Sequence, residues 1–142
     1  MGTIEERAQV LADKDEIREL TARYCFAVAE GDADAIVELF CEDGSFRMRD
    51  RSYEGVEGLR ELYAGAAAGT TPKPFIQNHV IEVDGDTATG RCGVEIRMVR
   101  KGEAYTVAGH YADTYRRVDG RWRFQSRDFM TYHWVPLNQG WA

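Results

Sequence analysis

Residues 17–46, IRELTARYCFAVAEGDADAIVELFCEDGSF, decide how the chain folds. Ile17, Leu20, Tyr24 and Val28 recur at spacings of 3, 4 and 4, with Arg18, Glu19 and Arg23 elsewhere around the wheel. That is the stripe of an amphipathic helix with one face in a core, and Tyr24 lies on it. Gly31 and Asp32 end the helix, and Asp32 is placed to cap a short helix, ADAIVELF, that closes at CEDG. The period then becomes two. SFRMRD sets Phe46 and Met48 on one face and Arg47 and Arg49 on the other, as a strand does.

Upstream, Thr3 with Glu6 and Asp13 with Glu16 each fit a capping box, so two helix starts are expected before Ile17. Downstream, SYEG turns into a helix, VEGLRELYAGAAAG. Four long strands follow, separated by DGD at 84–86, KG at 101–102 and DG at 119–120, which supply the positive backbone angles of tight hairpins. Helices first and a meander afterwards imply an α+β fold, one domain over residues 1–142, with helices packed on one face of an antiparallel sheet.

In TATGRCGVEIRMV, residues 87–99, the even positions are small or apolar and Arg91, Glu95 and Arg97 alternate with them. Gly90 and Cys92 leave room on the dry face. In YTVAGHYADTY, residues 105–115, neither face is purely polar. This suits a sheet covered by helices on one side and by a second subunit on the other, so a homodimer or higher homo-oligomer is expected. In the final strand Trp122 and Phe124 share one parity and Phe129 takes the other, which predicts a β-bulge near Ser126.

The 142 residues carry a formal charge of -6, with pI near 5.1. An acidic surface excludes nucleic acid as a partner, because phosphate-backbone affinity rests on released counterions. Cys25, Cys41 and Cys92 form no pair or cluster with metal-binding spacing, so no metal is expected and the thiols read as reduced. The opening MGTIEERAQVLAD is charged where a signal peptide is apolar, and no stretch approaches a membrane span. A cytoplasmic protein without membrane contact is the expectation.

The order helix, helix, strand, helix, meander, with the opening stretch, NHVIEVDGDTATG at 78–90 and GHYADTYRRVDGRWRFQSRDF at 109–129, resembles the SnoaL-like group of the nuclear transport factor two-like superfamily over about residues 10–130. The resemblance implies a cone-shaped α+β barrel, its strongly curved, mostly antiparallel sheet wrapping the N-terminal helices around an apolar cavity. It also implies dimerisation through the outer sheet face. Relatives include polyketide cyclases, scytalone dehydratase, bile-acid dehydratases, a dehydrochlorinase, ketosteroid isomerase and limonene epoxide hydrolase. In the dehydratase and dehydrochlorinase relatives an acid late in the first long helix orients a histidine at the start of the third strand. Here the acid position falls on Ala29 and the histidine position on Pro74 or Ile76. What matches is similar to a pocket lining: Tyr24, a proton donor in the bile-acid dehydratases, with Phe46, Cys92, Val94, Val107, Tyr111 and Arg127.

The residues leave alternatives open. Tyr24 is either a core residue or a donor to a ligand oxygen. Asp113 shares the face of Tyr111 and is expected to pair with Arg127, since a lone buried charge is costly; the pair either fixes the sheet or polarises a ligand. The alternation around residues 78 and 79 does not say whether Asn78 or His79 enters the cavity. His110 and His133 read as outer-face or terminal. Phe75 and Met130 join the expected lining, and TYHW with the tail LNQGWA caps the mouth or forms an interface. The function these residues imply is a pocket for an apolar, oxygen-bearing ring compound such as a polyketide, steroid, terpenoid or aromatic. Its chemistry is cofactor-free proton transfer of lyase or isomerase type, with Tyr24 as donor and Asp113 or His79 as base. The alternative is a non-catalytic ligand-binding or dimerising protein that lacks the dyad. Epoxide hydrolysis by Asp113 and Arg127 lacks a convincing second acid.

Overall fold

A computed structural model describes residues 2–66 and 70–140. Helix α1 spans Ile4–Glu30 and opens with the expected capping box of Thr3 and Glu6. It runs through Asp13 without a second start. Asp13 is buried, and its carboxylate accepts from Arg117 Nη1 at 2.5 Å, Trp122 Nε1 at 3.1 Å and Gln9 Nε2 at 3.0 Å. An acid that reads as a cap in sequence is thus the anchor of α1 to the far end of the sheet. Before Asp13 the helix is solvent-exposed; beyond it Ile17, Leu20, Thr21, Tyr24, Cys25 and Ala27 are buried.

Gly31, at φ 70, caps α1 and donates to Ala27 O and Val28 O. The last turn holds no basic residue, and Lys73 Nζ supplies the missing cation by donating to Ala29 O at 2.6 Å. Asp32 accepts from Ala35 N at 3.0 Å and starts α2, Ala33–Glu38. This helix stops short of Phe40, because Phe40 already pairs with Phe124 and Leu39 O accepts from Phe124 N at 2.9 Å. Strand β1, Phe40–Met48, therefore begins within the stretch expected to close the helix. After a turn at Arg49, φ 57, the short strand β2, Arg51–Glu54, pairs back on β1, where sequence suggests only a turn. Helix α3 covers Gly55–Ala66; the end of the run AAAG, residues 67–69, lies outside the described residues.

The four long strands are β3 (Thr70–Asp84), β4 (Thr87–Arg100), β5 (Glu103–Val118) and β6 (Arg121–Pro136). The sheet order is β2-β1-β6-β5-β4-β3, antiparallel throughout except where β1 runs parallel to β6. Lys101–Gly102 and Asp119–Gly120 have positive φ at both positions, the geometry that matches strand twist in two-residue hairpins. Bulges curl the sheet. In β6, Thr114 faces Ser126 while Tyr115 faces Phe124, leaving Gln125 as the extra residue beside Ser126. Trp122, Phe124, Arg127 and Phe129 all reach the inner face as a result. In β3, Gln77 and Asn78 together oppose Gly93, so Pro74 and Ile76 point inward and, after the slip, so do His79, Ile81 and Val83. Among the described residues no helix is long and apolar enough to cross a membrane.

Candidate functional site

The inner face is a stack of cross-strand rows. Pro74, Ile96, Val107 and Trp134 face one another across β3 to β6. They line a cavity of about 520 Å³ closed on the helical side by Tyr24, Val28, Leu62 and Tyr63. An apolar hollow of about 150 Å³ already accepts benzene, so this one has room for two or three fused rings. Below it come Ile76, Val94 and Gly109, next His79, Cys92, Tyr111 and Phe129, then Ile81, Gly90, Asp113, Arg127 and Phe46, and finally Val83, Ala88, Tyr115, Phe124 and Phe40.

Tyr24, Phe46, Val107 and Tyr111 line the cavity as sequence suggests. So do Ala29 and Pro74, the positions at which the resemblance places an acid and a histidine. Cys92, Val94 and Arg127 are inward but buried behind the lining. Phe75 and Met130, at 51% and 50% exposed, point away from the cavity, as does exposed Asn78. In β3 Phe75 has the parity opposite inward Pro74 and Ile76, where Arg97 stacks on it at 5.5 Å, and the slip at Gln77 and Asn78 then places His79 rather than Asn78 on the inner face; in β6 Met130 alternates with inward Phe129. Trp134 of TYHW lines the cavity, whereas Trp141 of the tail lies outside the described residues.

The residue that sequence reasoning missed is Tyr63. Its hydroxyl lies 2.7 Å from that of Tyr24, and both rings face the cavity. The signal was there: Leu59, Leu62 and Tyr63 form the apolar stripe of α3, with Leu59 fully buried. Burial, reinforced by the neighbouring Tyr63 phenol, raises the Tyr24 pKa well above the ordinary value, and burial likewise raises that of Tyr63. Both therefore remain protonated donors through the physiological range.

Behind Tyr24 and Tyr111 sits a fully buried charge pair. Arg127 Nε and Nη2 donate to the two oxygens of Asp113 at 2.9 and 3.0 Å, the two-pronged geometry that makes such pairs strong. The guanidinium carbon lies 3.7 Å from the Tyr111 ring centroid, 4.3 Å from that of Phe124 and 4.5 Å from that of Tyr24. Among the described residues Nη1 of Arg127 has no hydrogen-bond partner. Burial works against its charge, but the Asp113 carboxylate outweighs that and holds its pKa well above the ordinary value.

Tyr115 donates to Asp113 Oδ2 at 2.8 Å, and His79 Nε2 meets the Tyr115 oxygen at 3.1 Å. The Tyr115 proton being committed to Asp113, Nε2 of His79 is the donor in that contact. Burial lowers the His79 pKa to about 4, with Asp113 opposing and Arg127 and Arg18 adding to the effect. The room that Gly90 and Cys92 leave is filled: a Cβ on Gly90 would lie 3.0 Å from the Tyr115 hydroxyl. Among the described residues no group of three or more His, Cys, Asp or Glu is placed to hold a metal ion.

A curved sheet around a long helix, enclosing an apolar hollow with hydroxyl groups in its wall, defines the cone-shaped fold of the nuclear transport factor two-like type. The model of the SnoaL-like domain matches residues 9–128, and the chain belongs to that family. It is similar in structure to a single-residue variant of Rv3472, a function-unknown protein from Mycobacterium tuberculosis, at TM-score 0.82 and 28% identity over 92% of this chain and 76% of that one. An NTF2-like protein with a cystatin-like fold from Novosphingobium aromaticivorans aligns at TM-score 0.79 and 29% identity, covering 91% and 88%. The hexachlorocyclohexane dehydrochlorinase LinA-type3 from Novosphingobium barchaimii LL02 shares the fold at TM-score 0.83 and 20% identity, covering 92% and 94%. No curated protein matches the chain.

Proposed function

We propose that this chain receives an apolar, oxygen-bearing ring compound in its cavity and donates a proton to the oxygen through Tyr24, the acid half of a cofactor-free reaction of lyase or isomerase type. The observation that carries the reading is the Tyr24 and Tyr63 hydroxyl pair, 2.7 Å apart and facing an otherwise apolar hollow of about 520 Å³. The two hydroxyls together hold one proton more than their mutual bond consumes, and that proton is available to a ligand oxygen. Phe46, Val107 and Tyr111 serve as wall contacts. Asp113 and His79 act from behind the wall, fixing Arg127 and Tyr115, since neither lines the cavity.

The test is a thermal-shift screen of ring compounds followed by turnover assays. A ligand at 100 times its dissociation constant adds about 2.7 kcal/mol of stability. With such a compound in hand, Tyr24→Phe is expected to lower turnover by roughly 10²-fold, the usual worth of a positioned acid, while costing about 1 kcal/mol of stability for one lost hydrogen bond. Ligands that bind equally well to wild type and Tyr24→Phe, with no turnover in either, would instead support a non-catalytic binding protein. That second reading is favoured by Ala29 and Pro74, which line the cavity without a titratable group.

The same reading extends to assembly and compartment. Exposed Phe75, Val80, Met130 and Tyr132 on the outer sheet face favour a homodimer, which light scattering on the purified chain would reveal. Three buried, unpaired cysteines favour a reducing compartment such as the cytoplasm.

A further inference from the structure

Resting on the cavity reading above, we propose that the ligand carries a carboxylate on a short chain opposite its ring oxygen, and that Lys73 at the mouth of the cavity holds that carboxylate. The first support is where charge lies along the lining. Its charged side chains among the described residues, Glu30 and Lys73, gather with Thr70 and Thr71 where α1 ends and β3 begins. Val28, Pro74, Ile96 and Val107 form apolar wall between that place and the Tyr24 and Tyr63 hydroxyls. A ligand that fills the hollow therefore meets polar groups at both of its ends. The second support is reach. Tyr24 and Ale29 are joined by little more than one turn of α1, about 7.5 Å along the axis, which a benzene ring with a short chain spans. Lys73 has the outward parity of its strand, but β3 is the free edge of the sheet, and the side chain folds over that edge to donate to Ala29 O at 2.6 Å. An ammonium has three protons, and among the described residues no carboxylate forms an ion pair with this one. A ligand carboxylate supplies the acceptor, and because Lys73 is exposed the pair forms without the cost of a buried ion. The third support is Arg49, in the turn between β1 and β2. Its guanidinium carbon lies 5.2 Å from the centroid of Trp134, which lines the same cavity in the row of Pro74, the neighbour of Lys73. This end of the cavity thus carries two cations against the single carboxylate of Glu30.

The probes are 3-(4-hydroxyphenyl)propionate, its methyl ester and its primary amide, which share ring, phenol and chain and differ in the charge of the tail. Tyramine, with an ammonium tail, is the opposite case. Calorimetry with the full chain at pH 7.5 and low salt measures each dissociation constant. The acid is expected to bind about tenfold more tightly than the ester or the amide, the worth of one charge-assisted hydrogen bond, and added salt should narrow the gap. Lys73→Met keeps the apolar stem and removes the charge, so the acid should lose its advantage while the ester's constant moves by less than about twofold. Lys73→Arg should keep the preference. Ester or amide bound by wild type as tightly as the acid, or tyramine bound most tightly, overturns the carboxylate and leaves the pocket standing. An undiminished preference in Lys73→Met, or a loss that the ester shares equally, overturns the part given to Lys73. Failure of every probe to give heat or to raise the melting temperature, even at saturating concentration, overturns the pocket reading together with the inference.

Discussion

Arg127 and Asp113 bury opposite charges with no exposed surface on either side chain. Losing one partner strands the other in an apolar interior, so Arg127→Leu or Asp113→Leu alone is expected to cost about 3 to 5 kcal/mol, and the double variant clearly less than the sum. Urea unfolding of the three variants measures this; additive losses would mean that the two side chains do not act as a unit. Beside them, His79 makes stability depend on pH. Its folded pKa of about 4 lies below the ordinary 6.5, so as pH falls between those values the unfolded chain takes up a proton that the folded chain refuses. The contribution is complete above pH 6.5 and is lost on acidification toward pH 4. Allowing for the partial exposure of the ring, the loss is about 1 to 2 kcal/mol. His79→Gln removes this titration while Tyr115, Asp113, Arg127 and Arg18 around it stay as they are. The stability advantage of wild type over the variant should shrink by that amount between pH 7.5 and pH 4.5; an advantage independent of pH would contradict the burial of the ring.

At the scale of elements, what could be read in advance was local. The hairpins at 101–102 and 119–120 announce themselves because positive φ is favoured by Asp-Gly and by the glycine of Lys-Gly. The stripe of Ile17, Leu20 and Tyr24 is likewise written at helical spacing. What depended on distant partners was misread or left open. Asp13 looks like a cap until Arg117 and Trp122 arrive from strands more than a hundred residues away. The slip at Gln77 and Asn78 could not be seen either, because an extra residue changes parity without changing composition, and that is why Phe75 reads as part of the lining and the choice between Asn78 and His79 stays open. Tyr63 belonged to a legible stripe, but its hydroxyl partner came from another helix. The anchor at Asp13 gives an expectation of its own: Asp13→Ala should raise the intrinsic helix propensity yet cost about 2 kcal/mol or more, since Arg117 and the Trp122 indole lose an acceptor together. Amide exchange would locate the loss where residues 13–20 meet the end of the sheet; protection unchanged there would mean that the apolar stripe alone fixes the helix.

The whole molecule keeps a hollow that its own side chains do not fill. Close-packed interiors are the rule, and an open cavity of about 520 Å³ forfeits the contacts its walls would otherwise make. A sequence selected only for stability would close it. Filling it is therefore expected to be tolerated by the fold and to abolish binding, the trade that marks a surface kept for a ligand. Ile96 is the position to test, since it is half-buried, lines the cavity and lies in the row with Pro74, Val107 and Trp134, away from the charge pair. In Ile96→Trp the larger side chain enters space instead of neighbours, so the melting temperature should hold or rise by about 2 °C. Ring compounds that raise the melting temperature of wild type should no longer do so. Overpacking of a solid core costs about 1 to 3 kcal/mol. A melting temperature lowered to match that cost, with ligand binding retained, would mean that the space beside Ile96 is closed in solution and that the ligand goes elsewhere.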